Sequence, residues 1–261
     1  MTFKLSIMKM NNRLLQLVLL LSTLLIGSCH KIVEYWPDHT PPHYRIKSIF
    51  FDEQVPHSGN FYYNKWGNPD SVVFEYVATG RPNFYFTYNK KQQPREIKAF
   101  YVNGAYEQWH RLGVNKKGQV IIDTVYTFGG QNQDPEPANF WNKRIDYYEY
   151  DNLGRIIKRT FDFVVPEGPS SITNFVYNAD GNLDNPYIVE QYDNNRNLLT
   201  LHPIWQFLQC DYSVNNPFPA ESYNSYRLPT RFDFPLVNFT SRFTFFGGRA
   251  LEKSEIVYEN K

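Results

Sequence analysis

A short turn pattern recurs along this chain and leaves little room for long helices. Each copy usually begins with an aromatic residue, continues with Asn or Asp, and soon reaches a Gly or a polar substitute. An Asn or Asp side chain can accept a hydrogen bond from the backbone two residues on, and Gly can adopt the left-handed conformation that closes a hairpin loop. Each copy therefore predicts a β-hairpin. The copies begin at Tyr63, Tyr88, Val114, Tyr150, Tyr177 and Tyr192, with a degraded copy at Phe245.

Composition and spacing favour an all-β fold. The chain is 18% aromatic, and aromatic residues suit pleated, half-buried strands. The copies stand roughly 15 to 36 residues apart, whereas a regular solenoid has a fixed period, so we expect an irregular antiparallel meander of hairpins in one curved sheet. One segment has helical spacing, where Pro203 precedes Ile204, Trp205, Phe207 and Leu208. It predicts at most one short helix, at one end of the sheet, with an apolar loop or strand as the alternative.

The pattern of the N-terminal segment predicts a secretory signal peptide. An apolar run begins at Leu14, after Lys4, Lys9 and Arg13, and ends at Leu25-Ile26-Gly27-Ser28-Cys29. A basic region, an apolar region and a small-residue cleavage site are typical of such signals. The Cys directly after Gly-Ser makes this segment resemble the lipobox of bacterial lipoproteins. The resemblance implies cleavage before Cys29 and lipidation of that residue.

The hairpin copies resemble YD repeats. Tyr150-Asp151-Asn152-Leu153-Gly154-Arg155 matches, at every fixed position, the Tyr-Asp-x-x-Gly-Arg unit of Rhs-type shell proteins and teneurins, and the other copies match it in part. Together with the lipobox, this makes the whole chain similar to the YD-repeat-like lipoproteins of Gram-negative bacteria. The resemblance implies a long antiparallel meander and no defined activity. His30 rather than Asp follows the Cys, which favours the outer membrane, with periplasm-facing and cell-surface orientations both open.

These signals divide the chain into three parts. Residues 1–28 are the predicted signal peptide, 29–43 a Pro-rich tether that begins with the lipidated Cys, and 44–261 a single β-hairpin-repeat domain. The formal net charge is +1 and becomes −2 without the signal, because three cations and no acidic residue leave with it. A nearly neutral domain argues against nucleic acid as a partner.

The sequence carries no catalytic signature, so we expect a protein that is not an enzyme. It has no Gly-x-Ser-x-Gly, no His-Glu-x-x-His and no phosphate-binding Gly loop. Asp134 and Glu136 form the most obvious acidic pair, in a Pro-rich loop that we interpret as solvated. Cys210 has no disulfide partner once Cys29 is acylated, and its apolar neighbours predict a buried thiol.

No metal or other cofactor is expected either, although two sets of residues have ligand-type side chains. His39 and His43 lie in the Pro-rich tether, where nothing fixes their geometry relative to His57. Residues 178–184 alternate Asn and Asp like a calcium loop, but the Gly stands at the fourth position and Val189 at the twelfth. We interpret this segment as a hairpin turn.

Aromatic rings are the stronger candidates for ligand binding. Trp66 lies inside a predicted turn, Trp109 in a polar segment and Trp141 beside a long loop. An exposed ring can stack on a pyranose face while nearby polar groups bind its hydroxyls. The alternative is that these rings only cover the sheet.

We therefore expect a lipid-anchored envelope protein that acts as a non-enzymatic binding or scaffold module. Its membrane contact is the N-terminal lipid, and its partner is an envelope protein or a glycan that meets a sheet edge or the aromatic face. One alternative is a glycan-binding lipoprotein of a polysaccharide-uptake system. A less favoured alternative is a hydrolase that uses a carboxylate pair.

Overall fold

The computed structural model describes residues 44–52, 55–131, 133–184, 192–217, 219–233 and 253–260. The chain divides into two compact units, Met1–His39 and Thr40–Lys261, and every described residue belongs to the second. Several sequence predictions lie outside the described residues: the signal peptide, Cys29, His39, His43, Val189 and the Phe245 copy.

Strands account for most of the described residues, and one short α-helix and one 3-10 turn interrupt them. The strands are β1 Tyr44–Phe51, β2 His57–Tyr63, β3 Pro69–Phe74, β4 Asn83–Tyr88, β5 Pro94–Phe100, β6 Tyr106–Val114, β7 Val120–Gly129, β8 Asn142–Tyr150, β9 Ile156–Val165, β10 Ser171–Asn174, β11 Val176–Tyr177, β12 Leu183–Asp184, β13 Ser222–Tyr223, β14 Pro229–Asp233 and β15 Lys253–Asn260. The 3-10 turn is Leu198–Leu201 and the helix, α1, is Pro203–Gln209.

Thirteen of the described strands form one antiparallel sheet. From β1 to β10, consecutive strands lie side by side, and β15, β14 and β13 continue the sheet on the other side of β1. The pair β11 and β12 forms a separate hairpin. Within the described residues, the prediction of an all-β antiparallel meander with at most one short helix is confirmed.

The recurring turns have one shared hydrogen-bond pattern, which the Asp151 turn illustrates. Asp151 Oδ1 accepts hydrogen bonds from the backbone N–H groups of Leu153 and Arg155, both at 2.9 Å. Gly154 has φ +80° and donates its N–H to the Asp151 carbonyl at 3.1 Å. A side-chain acceptor followed by a left-handed residue therefore closes the hairpin. The same pattern is found at Asn64, Asn89, Asn115, Asn178 and Asn224.

The sequence prediction is wrong at one copy and misses another. The Tyr192 copy does not form a hairpin turn, because the Asp193 N–H donates to the carbonyl of Asn216 and its carboxylate accepts from the Tyr223 hydroxyl. The missed turn begins at Asn224, where Arg227 takes the left-handed conformation with φ +63° in place of a Gly. Asn224 is the residue type that starts most of the other turns, but the sequence pattern did not predict this turn because no Gly follows it.

The tyrosines before two of the turns link neighbouring hairpins. The Tyr150 hydroxyl donates to the Val120 carbonyl at 2.7 Å, and the Tyr88 hydroxyl donates to the Pro69 carbonyl at 2.8 Å. Each acceptor is the first residue after the preceding turn at the same end of the sheet. At these two turns the aromatic residue of the repeat therefore binds the preceding turn, which a turn propensity alone does not predict.

One face of the sheet, here called the core face, packs against the segment that contains α1. Pro203 occupies the first turn of α1, and the His202 side chain accepts a hydrogen bond from the Ile204 N–H at 3.1 Å. Trp205 lies edge-on to Phe61 of β2 and Phe86 of β4, with ring centroids 5.8 and 5.7 Å apart. The helix is confirmed, but it lies across the sheet face and not at one end, because its apolar rings pack on rings from several strands.

No helix among the described residues combines the length and the apolar composition that crossing a membrane would need.

Candidate binding face

The opposite face of the sheet, here called the outer face, carries an unbroken line of partners across the strands. In an antiparallel sheet, residues that pair across strands lie on the same face, and alternate residues of a strand lie on opposite faces. The register shows one such line from β2 to β8, which we call the outer row. Its members are Tyr62, Ser71, Tyr85, Lys98, Trp109, Tyr126 and Lys143.

The first part of the outer row presents two tyrosine rings to solvent. Tyr62 is 52% exposed and Tyr85 is 41% exposed, with the small Ser71 between them. One intervening strand separates the two rings by about 10 Å, since neighbouring strands lie about 4.8 Å apart. Two open rings at this separation can each contact a different unit of the same extended ligand.

The second part of the outer row places two aromatic rings between two lysines. Lys98 Nζ lies 4.0 Å from the Trp109 ring centroid, and Lys143 Nζ lies 5.2 Å from that of Tyr126. Glu96, from the neighbouring line on the same face, accepts a hydrogen bond from Trp109 Nε1 at 3.2 Å. Cation–aromatic contacts and a carboxylate therefore hold the Trp109 ring in place.

The loop between β7 and β8 lies over this second part. Asp134 pairs with Arg111, and Glu136 Oε1 lies 2.7 Å from Lys143 Nζ and accepts from the Tyr126 hydroxyl at 2.7 Å. The hydrogen bonds from Lys143 and then Tyr126 lower the pKa of Glu136, and the bond to Glu136 raises the pKa of Lys143. Each loop acid therefore neutralises a cation of the outer face.

The structure places the three candidate tryptophans in different environments. Trp66 is 60% exposed in the β2–β3 turn, and Trp141 is 76% exposed beside Phe128, with ring centroids 6.4 Å apart. In a meander, the β2–β3 and β7–β8 connections lie at opposite ends of the strands, so Trp66 and Trp141 do not share a site. Trp109 is only 8% exposed, packed against Tyr106 with Lys98 over its ring. Trp109 lacks the open ring that stacking on a sugar requires.

A buried charged cluster lies on the core face, and the sequence reasoning missed it. Asp123 and Asp146 are direct partners on β7 and β8. Asp123 Oδ2 lies 2.8 Å from His110 Nδ1, whereas Asp146 accepts from Arg144 Nε at 3.1 Å and from Arg159 Nη2 at 2.8 Å. Asp146 is 1% exposed, so its carboxylate serves the ion pairs and has almost no contact with solvent.

Cys210 lies at the end of α1 in the same core. It is a free, buried cysteine, as its apolar neighbours predict. Burial raises the pKa of the Cys210 thiol to about 12. The group is therefore a protonated thiol at neutral pH and lacks the thiolate that a nucleophile needs.

The remaining sequence candidates have structural roles. His57 is buried, with its ring stacked on Phe51 at a centroid distance of 5.2 Å. Residues 178–184 contain the hairpin turn that the sequence predicts, in which Asn178 Oδ1 accepts from the backbone N–H groups of Asp180 and Asn182. This side-chain oxygen is used by the turn itself.

Comparison with solved structures gives distant matches. No protein-family model matches the chain, and no curated protein matches it. A structure of TcdB2-TccC3-Cdc42 matches with 15% identity and a TM-score of 0.25, covering 51% of this chain and 8% of that chain. A structure of TcdB2-TccC3 without its hypervariable C-terminal region matches with 16% identity and a TM-score of 0.19, covering 49% and 9%. The chain thus spans less than a tenth of each match, and TM-scores this low carry no information on function.

Proposed function

We propose that the protein is a non-enzymatic binding module of the cell envelope, held at the outer membrane by lipid on Cys29, and that it meets its ligand through the outer face. One observation carries the proposal: the two faces of the sheet differ. The core face is packed against α1, whereas the outer face presents open rings at Tyr62 and Tyr85. Exposed aromatic groups on a rigid sheet favour binding, because their rotamers are already restricted by the strands.

The charged groups of the domain support binding over catalysis. Asp134 and Glu136 pair with different cations, and the Asp123–Asp146 pair is buried among arginines and a histidine. A carboxylate pair that hydrolyses a glycoside needs one group to protonate the substrate and the other to face it. The buried pair is already engaged in holding the sheet together.

A glycan is the ligand class that one further observation favours. Trp141 is the most exposed tryptophan among the described residues, and Phe128 lies beside it. Open rings of this kind suit the apolar face of a sugar. A protein partner at the same face is the competing ligand class, and photo-crosslinking and polysaccharide binding distinguish the two.

Lipid anchoring gives the first testable expectation. Cys29→Ser should move the protein from the membrane fraction to the soluble fraction of cells, because acyl chains contribute about 0.8 kcal/mol per buried methylene. Fractionation with immunoblotting and incorporation of labelled palmitate would measure this. Cys210→Ala is the matched control, since it removes the buried thiol and should leave the label and the membrane location unchanged. A Cys29→Ser protein that stayed labelled in the membrane would contradict the anchor.

The position of the binding surface gives the second expectation. A photo-crosslinking phenylalanine analogue placed at Tyr85, on the outer face, should give a discrete adduct in intact cells. The same analogue at Tyr226, an exposed tyrosine in the β13–β14 turn, serves as the control and should give none. Adducts of equal yield at both positions, or at Tyr226 alone, would show that the outer face is not the contact surface.

A further inference from the structure

We infer that the open part of the outer row is a track for a single neutral polysaccharide chain, which lies across the strands from Tyr62 to Lys98, where the part covered by the β7–β8 loop begins. This inference rests on the proposed function and deepens it by naming the ligand class and its path. The outer row crosses seven strands, and its uncovered part runs from β2 to β5, so at about 4.8 Å for each of three spacings the track is about 14 Å long. A track of this length is longer than a monosaccharide and can contact successive units of a linear polymer.

The charge balance along the track indicates a neutral ligand. Lys98 Nζ lies 3.4 Å from Glu96 Oε2, and Lys143 Nζ lies 2.7 Å from Glu136 Oε1. Arg111, which reaches over the Trp109 and Tyr126 rings, pairs with Asp134. Every cation of the outer row, and Arg111 beside it, therefore already has a carboxylate as a partner, so little net field is left to attract a polyanion or a polycation.

The same ion pairs are suited to sugar hydroxyls. A hydroxyl group both donates and accepts hydrogen bonds, and a lysine beside a glutamate offers three donors and several acceptor sites within a few ångströms. The side chains of Lys98 and Glu96 are 25% and 17% exposed, so they can be reached from solvent while they remain paired. A neutral sugar can use both partners without breaking the ion pair.

The open rings supply the apolar contacts at one end of the track. Tyr62 and Tyr85 lie two strands apart with the small Ser71 between them. One sugar unit can therefore stack on Tyr62 while another unit of the same chain stacks on Tyr85. The ring edges carry hydroxyl groups, which keep such a surface soluble when no ligand is bound. Trp109 and Tyr126 act differently, since they are buried and form the base on which the cations lie.

The test is native affinity electrophoresis of the non-acylated protein (Cys29→Ser) in gels that contain one polysaccharide each. The neutral panel is xylan, mannan, β-glucan, starch and dextran, and polygalacturonate is the acidic comparison. We expect retention by at least one neutral polymer. Tyr62→Ala and Tyr85→Ala should each weaken that retention roughly five- to tenfold, the effect of one lost aromatic contact. Titration calorimetry with oligosaccharides of the retaining polymer should show tighter binding as the chain lengthens.

A matched control lies on the same face. Tyr147 is a 40% exposed tyrosine of β8 that pairs with Ile122, outside the outer row, and Tyr147→Ala should retain the parent's mobility shift. Thermal melting of all variants checks that each is folded. Equal losses in the Tyr62, Tyr85 and Tyr147 variants, retention by polygalacturonate alone, or retention by no neutral polymer would each overturn the track.

These outcomes also separate the track from the proposed function. Loss of retention with Trp141→Ala, while Tyr62→Ala and Tyr85→Ala bind normally, would keep a glycan-binding module and reject the track. Retention by no polymer, together with a protein adduct from the Tyr85 photo-crosslink, would keep the binding module with a protein partner and reject the track. Retention that depends on both tyrosines supports the two proposals together.

Discussion

Trp205→Ala is expected to lower the free energy of unfolding by about 3–5 kcal/mol, the range for removing a large buried aromatic side chain. Trp205 is 1% exposed and packs edge-on against Phe61 and Phe86, and the His202 ring lies 6.0 Å from it. The substitution removes the ring that holds α1 to β2 and β4, and the short helix cannot refill the space. Urea denaturation followed by far-ultraviolet circular dichroism would measure the loss.

The control for this substitution is another tryptophan of the same chain. Trp66 is 60% exposed, and its ring contacts Lys65 Nζ at 4.4 Å. Trp66→Ala should change the free energy of unfolding by no more than about 0.5 kcal/mol, as exposed positions generally do. If both variants lost a similar small amount, α1 would not be packed on the core face in the way described.

The hairpin turns could be predicted because their chemistry is local. The acceptor at Asp151 and the left-handed residue at Gly154 lie within four residues, so the sequence shows both parts of the turn. The Asn224 turn shows the limit of this reasoning, since Arg227 adopts the left-handed conformation without the Gly that normally signals it. The Tyr192 copy shows the reverse, because partners distant in the sequence capture Asp193.

The two faces of the sheet could not be assigned from the sequence. In β7, the face with Ile122, Tyr126 and Phe128 is the more apolar one, yet it is the outer face, and the face with Asp123 and Val125 is the core face. Alternation predicts which residues share a face but not which face another segment will cover. That depends on α1, which contacts β2, β4 and β8 from far along the chain.

The outer row was hidden for a related reason. Register shifts occur just before the turns, between Tyr62 and Tyr63, between Thr87 and Tyr88, and again further along the sheet. Each irregularity changes which residues stand opposite one another, and a slip of one residue would place Tyr85 on the other face. The sequence therefore indicated aromatic residues as binding candidates, and the tryptophans were chosen among them. That Tyr62 and Tyr85 lie in one row is shown only by the strand register.

The second large effect is expected at the buried charged cluster, where Asp146→Asn should lower the free energy of unfolding by about 3–5 kcal/mol. Asp146 is 1% exposed and accepts hydrogen bonds from Arg144 and Arg159, both of which are mostly buried. Removing its charge leaves two guanidinium groups in the sheet without their shared carboxylate. Asparagine keeps the size of the side chain, so the loss measured by urea denaturation reports charge and not a cavity.

The control for this substitution is an exposed ion pair on the same strands, which shows how much of the stability loss comes from burial of the charge. Glu149 on β8 pairs with Lys158 on β9 at 2.7 Å, but its side chain is 61% exposed. Glu149→Gln should change the free energy of unfolding by less than about 1 kcal/mol, because water replaces the lost contact. Similar losses in the Asp146 and Glu149 variants would mean that the buried acid does not hold the arginines. A loss several times larger at Asp146 would show that β8 and β9 depend on a buried charge that lies on the core face.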